Sequence, residues 1–407
     1  MSGGVLYLTQ TQAMKLRSEN LSQAELVKIR KLCALDWELE KANTEYYTHG
    51  YHPYSAKYIP QIPNRLISTF SETNDLILDP FVGSGTTLVE SKVLGRNAIG
   101  IDINPLACLI SRVKTRVISK TTVREIENFL TLLQNDITQV RGNTTLFNYE
   151  NKRPILDDFL TDNLHHNIAK WYHKNVIYEL ATIKNNIDAI EYNETRDFLL
   201  VAFSSILRSV SNTTSGFGNL MINKKASPKN RIFEKFSLGV ESMIQGMSDF
   251  GKVATNCLAT VFNRDSRKHG FINDETIDFV CTHPPYMAAV PYAEYQKLSL
   301  WWLGYDQYEL DKSLIGGRRS RSDTPERFFH DMTISLSEMK RVLRRKKYCC
   351  ITIGNPVYAG KIWNLNDFIK QTCTDIGFTF LKEISRGKYH STMGKMKEEF
   401  ILIFRND

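Results

Sequence analysis

The sequence predicts a three-layer, doubly wound α/β fold in which a seven-stranded sheet, mostly parallel with an antiparallel end, is split by a helical insertion. Three observations carry this prediction. Two short apolar runs, Leu76-Ile-Leu-Asp79 and Asn97-Ala-Ile-Gly-Ile-Asp102, each end in an acid and flank a Gly-rich turn and a helical stretch. Residues 115–258 carry helical patterning alone, and strand-like runs resume after residue 259.

Taken in order, Ser22 with Glu25 forms a capping-box signal, and the run to about Tyr46 has no Gly or Pro, so a long N-terminal helix is expected. The passage His52-Pro-Tyr-Ser-Ala-Lys-Tyr-Ile-Pro-Gln-Ile-Pro63 contains three prolines and reads as extended until a short helix over 64–70. Strand 76–79, turn Pro80–Thr87, helix 88–94 and strand 97–102 make the first half of the sheet. Helices are expected over 122–140, 163–184, 194–210 and 232–257. Strands follow at 260–265, 277–281, 347–353, 379–384 and 399–404, the last two pairing antiparallel. The units are then an N-terminal helical extension (1–50), a first sheet half (51–114), the helical insertion (115–258) and a second sheet half (259–407).

Composition narrows the class. With 42% hydrophobic and 24% charged residues over 407 positions, the chain is an ordinary globular one, neither disordered nor collagenous. Its longest apolar stretch, Phe198 to Leu207, falls short of the roughly 18–20 residues that span a bilayer. Met1-Ser-Gly-Gly-Val lacks the features of a secretory signal, so a cytoplasmic location is expected. Seven cysteines without a C-x-x-C pair read as reduced thiols, and no metal is expected. The net charge of +8 concentrates in Lys224-Lys225, in Arg318-Arg319-Ser320-Arg321 and in Arg341 to Lys347, which are either polyanion contacts or solvated faces.

The turn after the first strand is where chemistry enters. A Gly-rich turn brings backbone N–H groups and a helix start close to a ligand. Asp79-Pro-Phe-Val-Gly-Ser-Gly-Thr-Thr87 has neither the G-x-G-x-x-G spacing nor a P-loop Lys. An acid before the turn repels phosphate but suits an amino group and a sulfonium. Asp102, roughly twenty residues on, stands where an acid accepts bonds from ribose hydroxyls. A nucleoside with an amino-acid tail satisfies both acids.

Asp79 to Thr87 resembles, at every position, the D-P-F-x-G-S-G-T-T cofactor motif of the amino-methylating DNA methyltransferases, which modify the exocyclic amine of cytosine or adenine. Thr282-His283-Pro284-Pro285-Tyr286 is similar to their S/D/N-P-P-Y/F catalytic motif, with His283 where the family has Ser, Asp or Asn. The resemblance covers about 50–114 and 260–407. It implies S-adenosylmethionine as cofactor, bound by Asp79, Pro80, Phe81, Gly83, Ser84, Gly85, Thr86, Thr87, Asp102 and Ile103. Lys57 and Tyr58 of the proline-rich passage join them as an additional cofactor motif, and Asp265 with Ser266 meets the adenine amine. His283 and Pro284 are implied to orient the target amine, with Pro285 completing the turn and Tyr286 stacking on a flipped base.

The resemblance further implies a site-specific DNA methyltransferase of a restriction-modification system, with a cognate restriction endonuclease as candidate partner. The insertion is assigned to target recognition, and Lys224, Lys225, Arg318, Arg319 and Arg321 to DNA contact. Cytosine N4 is favoured over adenine N6, because an acid in the first motif position is the commoner adenine arrangement and is absent here. An RNA base methyltransferase and a nucleic-acid-binding relative without turnover are the alternatives, separated by a 2′-hydroxyl preference and by methyl transfer.

Overall fold

Strand β1 (Leu76–Asp79) sits mid-sheet, parallel to β2 (Asn97–Asp102) on one side and to β4 (Ile277–Thr282) on the other. The computed structural model describes residues 21–144, 167–191, 193–214, 220–227, 229–288, 290–316, 323–387 and 396–407. Beyond β2 lies β3 (Ala259–Asn263), and beyond β4 lie β5 (Leu343–Tyr358), β8 (Met396–Asn406) and β7 (Phe378–Arg386). The order β3-β2-β1-β4-β5-β8-β7 contains the seven expected strands, and a two-residue β6 (Lys361–Ile362) pairs off this path with β5. The antiparallel end is present: β8 runs antiparallel to both β5 and β7, lying between them.

Side-chain alternation builds the layers. Ile77, Phe279, Cys281, Cys350, Ile401 and Ile403 face one side, packing with α1 (Gln23–Cys33) and α2 (Gln61–Phe70). Leu78, Val280, Cys349, Ile351 and Leu402 face the other. There they meet buried residues of α11 (Thr324–Val342) and α12 (Leu365–Asp375), such as Phe328, Leu336 and Ile369. The sheet is therefore covered on both faces, as a parallel sheet requires.

Two helix boundaries ahead of β1 differ from the sequence reading. The capping box of Ser22 and Glu25 starts α1, yet the helix ends at Cys33 rather than near Tyr46. Trp37 is buried and donates to the Leu32 carbonyl, while the Tyr46 hydroxyl donates to Glu90; the chain leaves the helix to reach both. Helix α2 begins at Gln61, ahead of Pro63, because a proline in the first turn removes an N–H that has no helical partner anyway.

Helices α3 (Thr86–Val93) and α4 (Pro105–Thr115) follow β1 and β2. The insertion contributes α5 (Lys120–Thr144), a 3-10 turn Ile168–Lys170, α6 (Lys174–Asp188), α7 (Glu194–Val210) and α8 (Ile232–Gly251). The expected helices 163–184 and 232–257 are thus shifted and shortened, and 163–166 lie outside the described residues. These helices share one core with α4 and with α9 (Tyr292–Trp302), which is followed by α10 (Gln307–Ser313). Leu109, Ile110 and Val113 of α4 join Phe198, Leu199 and Phe203 of α7 and Trp301 and Trp302 of α9 in that core. Buried Asp197 of α7 accepts from Arg116 at 3.0 Å. Tyr51 donates to the Met243 carbonyl at 2.6 Å and His52 bonds Ser204 at 2.6 Å, so the insertion also holds the start of the proline-rich passage. Among the described residues no helix is long and apolar enough to cross a membrane.

Candidate active site

The carboxyl ends of β1, β2 and β4 open on a single cleft enclosing about 820 Å³ of space, part of it open to solvent. Lys57, Tyr58, Asp79, Pro80, Phe81, Gly83, Ser84, Thr86, Thr87, Asp102, Ile103, Asp265, Ser266, His283 and Pro285 all line it. Residues far apart in sequence meet because β1 lies between β2 and β4, which is where ligands of doubly wound sheets bind.

On the β1 side the turn is set by backbone. Gly83 has φ of +49° and its N–H donates to Asp102 at 2.9 Å; the Asn104 N–H donates to the other Asp102 oxygen at 2.9 Å. These bonds orient the carboxylate while leaving lone pairs for a ligand. Burial pushes the Asp102 carboxyl up to about 6, against the pull of backbone bonds from Asn104, Gly83 and Ile103. Burial likewise raises that of Asp79, which accepts from Thr282 at 2.6 Å and from the Phe81 N–H at 3.1 Å. The hydroxyl of Thr86, at the start of α3, is buried without a hydrogen-bond partner among the described residues. A buried polar atom of this kind ordinarily has one, so an unmet donor-acceptor group in the cleft wall suits a polar ligand.

Gly85 does not line the cleft. With φ of +81°, a Cβ there would lie 2.9 Å from the Ser111 Cα, so this glycine lets α3 approach α4. Asp265 lines the cleft with both oxygens bound by the Arg267 side chain, at 2.6 to 3.0 Å. Arg267 also pairs with Asp331 at 2.9 Å. An incoming amine would share an Asp265 oxygen with this guanidinium rather than find a free one. Ser266 is buried and bonds Ser335 at 3.2 Å, and Lys57 donates to the His49 carbonyl at 3.1 Å.

The β4 side is organised by side chains. The His283 ring stacks on Tyr58, with centroids 4.9 Å apart and planes 25° from parallel, while the Tyr58 hydroxyl bonds Thr352 at 2.8 Å. Tyr58 thereby touches the His283 turn as well as lining the cleft. His283 Nε2 is hydrogen-bonded to the Tyr286 hydroxyl, which donates to Glu399 at 2.5 Å. Arg386 pairs with the other Glu399 oxygen and donates to the Trp37 carbonyl at 2.8 Å. Burial alone would raise the Glu399 carboxyl; its contacts with His283, Arg386 and Tyr286 bring it down to about 2. Tyr286 is 2% exposed and lies beneath the histidine, off the cleft wall, so this structure does not present it as a stacking platform. Pro284 is also off the wall, whereas Pro285 is on it.

Lys224 and Lys225 are exposed, in the loop after α7, and make no ion pair among the described residues. Arg318, Arg319 and Arg321 lie outside the described residues. Much of the Arg341 to Lys347 cluster is neutralised: Arg344 pairs with Asp278, Lys346 with Asp407 at 2.8 Å and Lys347 with Asp75 at 3.2 Å. Sequence reading missed Tyr54, Asn104, Tyr292 and Ser313 to Ile315 on the cleft wall, and Arg386 with Glu399 beneath it. The last two are opposite charges at directly paired positions of β7 and β8, and because both strands carry other charged residues no local signal singles them out.

The N6/N4 methyltransferase family model, described as DNA methylase, matches residues 9–112. Type II methyltransferase M.MvaI of Kocuria varians is 31% identical over 302 residues, covering 69% of this chain and 64% of that protein. Type II methyltransferase M.MjaII of Methanocaldococcus jannaschii is 24% identical over 407 residues, covering 79% and 75%. Type II methyltransferase M.BsoBI of Geobacillus stearothermophilus is 24% identical, covering 66% and 55%. The chain thus spans less than two thirds of the first of these relatives. The two motif segments thus meet on one cleft of a doubly wound sheet, in a chain that is similar to N6/N4 DNA methylases and to type II methyltransferases.

Proposed function

We propose that the chain is an S-adenosylmethionine-dependent DNA methyltransferase acting on the exocyclic amine of a flipped base, with cytosine N4 favoured over adenine N6. The observation that supports this reading is the juxtaposition across β1 and β4: two acids and a hydroxyl with no partner among the described residues on one wall, and His283 with Pro285 on the other. Asp79 suits the amino-acid end of the cofactor and Asp102 its ribose hydroxyls. Bound there, the cofactor supplies an electrophilic methyl group on a sulfonium.

The chain's own residues would then orient the target. A nucleobase amine is a poor nucleophile because its lone pair is delocalised into the ring, so acceptors must hold its hydrogens while the nitrogen lies in line with the methyl. The His283 ring and the Pro284 carbonyl are the acceptors proposed. An N–C bond forms as the S–C bond breaks, and the surplus amine proton leaves to an acceptor or to solvent. Cytosine is preferred because His283 replaces the acid commoner in adenine enzymes. The likeness to proteins named type II methyltransferases supports a restriction-modification role, and the proposal includes a cytoplasmic location and a cognate endonuclease as partner. Lys224 and Lys225 would contact phosphates.

Incubating the purified chain with S-adenosylmethionine and DNA, then digesting to nucleosides for mass spectrometry, tests this. N4-methylcytosine is expected, and N6-methyladenine would overturn the base preference. Methylation of RNA alone, or cofactor binding without any transfer, would overturn the reading in favour of one alternative or the other.

A further inference from the structure

The hydrogen-bond chain behind His283 fixes which ring nitrogen carries a proton. Glu399 is 3% exposed and ionised, held by Arg386, so it can only accept. The Tyr286 hydroxyl has one hydrogen, and at 2.5 Å from Glu399 Oε1 that hydrogen must be donated to the carboxylate. Its oxygen can then only accept from His283 Nε2, which therefore carries hydrogen. In the neutral ring the lone pair is on Nδ1, which makes no hydrogen bond among the described residues, on a residue that lines the cleft. Stacking on Tyr58 holds the plane of the ring, and the hydrogen bond to Tyr286 sets which edge faces inward.

We propose that Arg386 and Glu399, acting through Tyr286, are positioning residues that hold His283 in its Nε2–H form, so that Nδ1 faces the cleft as the acceptor for the target amine. This rests on the reading above. It assigns Tyr286 a place behind the acceptor rather than against the base, and gives a function to two charges buried where β7 and β8 pair. A histidine can replace the short acceptor of related motifs only if one nitrogen is reliably unprotonated. A Ser or Asp there needs no such support, and the relay supplies what the imidazole lacks.

The test is nitrogen NMR of the full chain labelled at histidine, with the His283 signals identified as those lost in His283→Asn. At neutral pH an unprotonated Nδ1 and a protonated Nε2 are expected. Tyr286→Phe, which keeps the ring and removes only the hydroxyl, should shift those signals toward a mixture of both forms. Its single-turnover methyl transfer should fall on the order of 10- to 100-fold, with cofactor affinity within about twofold. Glu399→Gln, which keeps an acceptor for the tyrosine, should retain the Nε2–H form and more of the rate. An Nδ1–H form in the unmodified protein, or unchanged ring signals in Tyr286→Phe, would overturn the relay. Absence of methyl transfer to any nucleic acid would instead count against the proposed function, and the NMR arm reads the relay independently of it.

Discussion

The turn after β1 and the turn after β4 face each other across the cleft and are built by opposite means. The first shapes itself with glycine backbone geometry and keeps polar groups open: Thr86 has no hydrogen-bond partner among the described residues, and Asp102 is steadied by backbone N–H groups, Gly83 and Asn104 among them. The second is stiffened by two prolines and by a chain of side chains, His283, Tyr286, Glu399 and Arg386, in which each group fixes the next. One wall is prepared to receive a ligand that brings its own hydrogen bonds. The other is prepared to present one acceptor in one protonation state, and for that a backbone turn is not enough.

The largest expected effect tests the second wall. His283→Ala should cut single-turnover methyl transfer by about 10²- to 10⁴-fold while cofactor affinity stays nearly intact, if the residue acts on the base side as proposed. His283→Asp or His283→Ser should restore part of the rate by supplying an acceptor. A wild-type rate in the alanine variant would place orientation in the prolines alone and erase the contrast between the turns.

Next comes the first wall. Asp102→Ala should weaken S-adenosylmethionine binding by about 1.5–3 kcal/mol for each charge-assisted bond to the ribose. Unchanged affinity by calorimetry would remove Asp102 from the site. The same carboxylate gives a pH signature of defined sign. Because burial lifts it to about 6, cofactor binding should weaken as pH falls through that value and release a proton below it. Fold stability should respond the other way. Between pH 6 and the ordinary value of 3.8 the folded carboxyl holds its proton when the unfolded one has lost it, so Asp102 favours folding more as pH falls through this window. Binding that strengthens on acidification from pH 7 to 5 would contradict the role assigned.

Gly85→Ala separates shape from ligand contact within the first turn. A Cβ 2.9 Å from Ser111 at a φ of +81° should cost about 1–3 kcal/mol of stability, read by thermal or denaturant unfolding. A fully stable variant that no longer binds cofactor would mean that the glycine faces the ligand after all. The smallest effect lies outside the cleft. Each phosphate contact contributes about 0.9 to the slope of log affinity against log salt, so replacing Lys224 and Lys225 together with Ala should flatten DNA binding by less than 2 in that slope. An unchanged slope would make them a solvated face.

Local sequence is enough where local forces decide. Strands Leu76–Asp79 and Asn97–Asp102 and helix Glu194–Val210 stand where their patterns put them, because strand alternation, turn glycines and an Asn193 cap act within a few residues. The nine residues Asp79 to Thr87 likewise carry their own geometry. The end of α1 at Cys33 was not legible, since it depends on Trp37 packing into the core and accepting from Arg386 and on Tyr46 reaching Glu90. Nor could the sequence tell that the insertion packs into one core with α4 and α9, or that the Arg344 to Lys347 charges meet Asp278, Asp407 and Asp75. By itself, then, the sequence determined the order of the elements, the sheet that carries them and the chemistry of each turn. Only the tertiary structure decided which nitrogen of His283 is left as acceptor. That depends on a carboxylate from another strand, and a proton's location is set by the partners within hydrogen-bond reach rather than by neighbours in the chain.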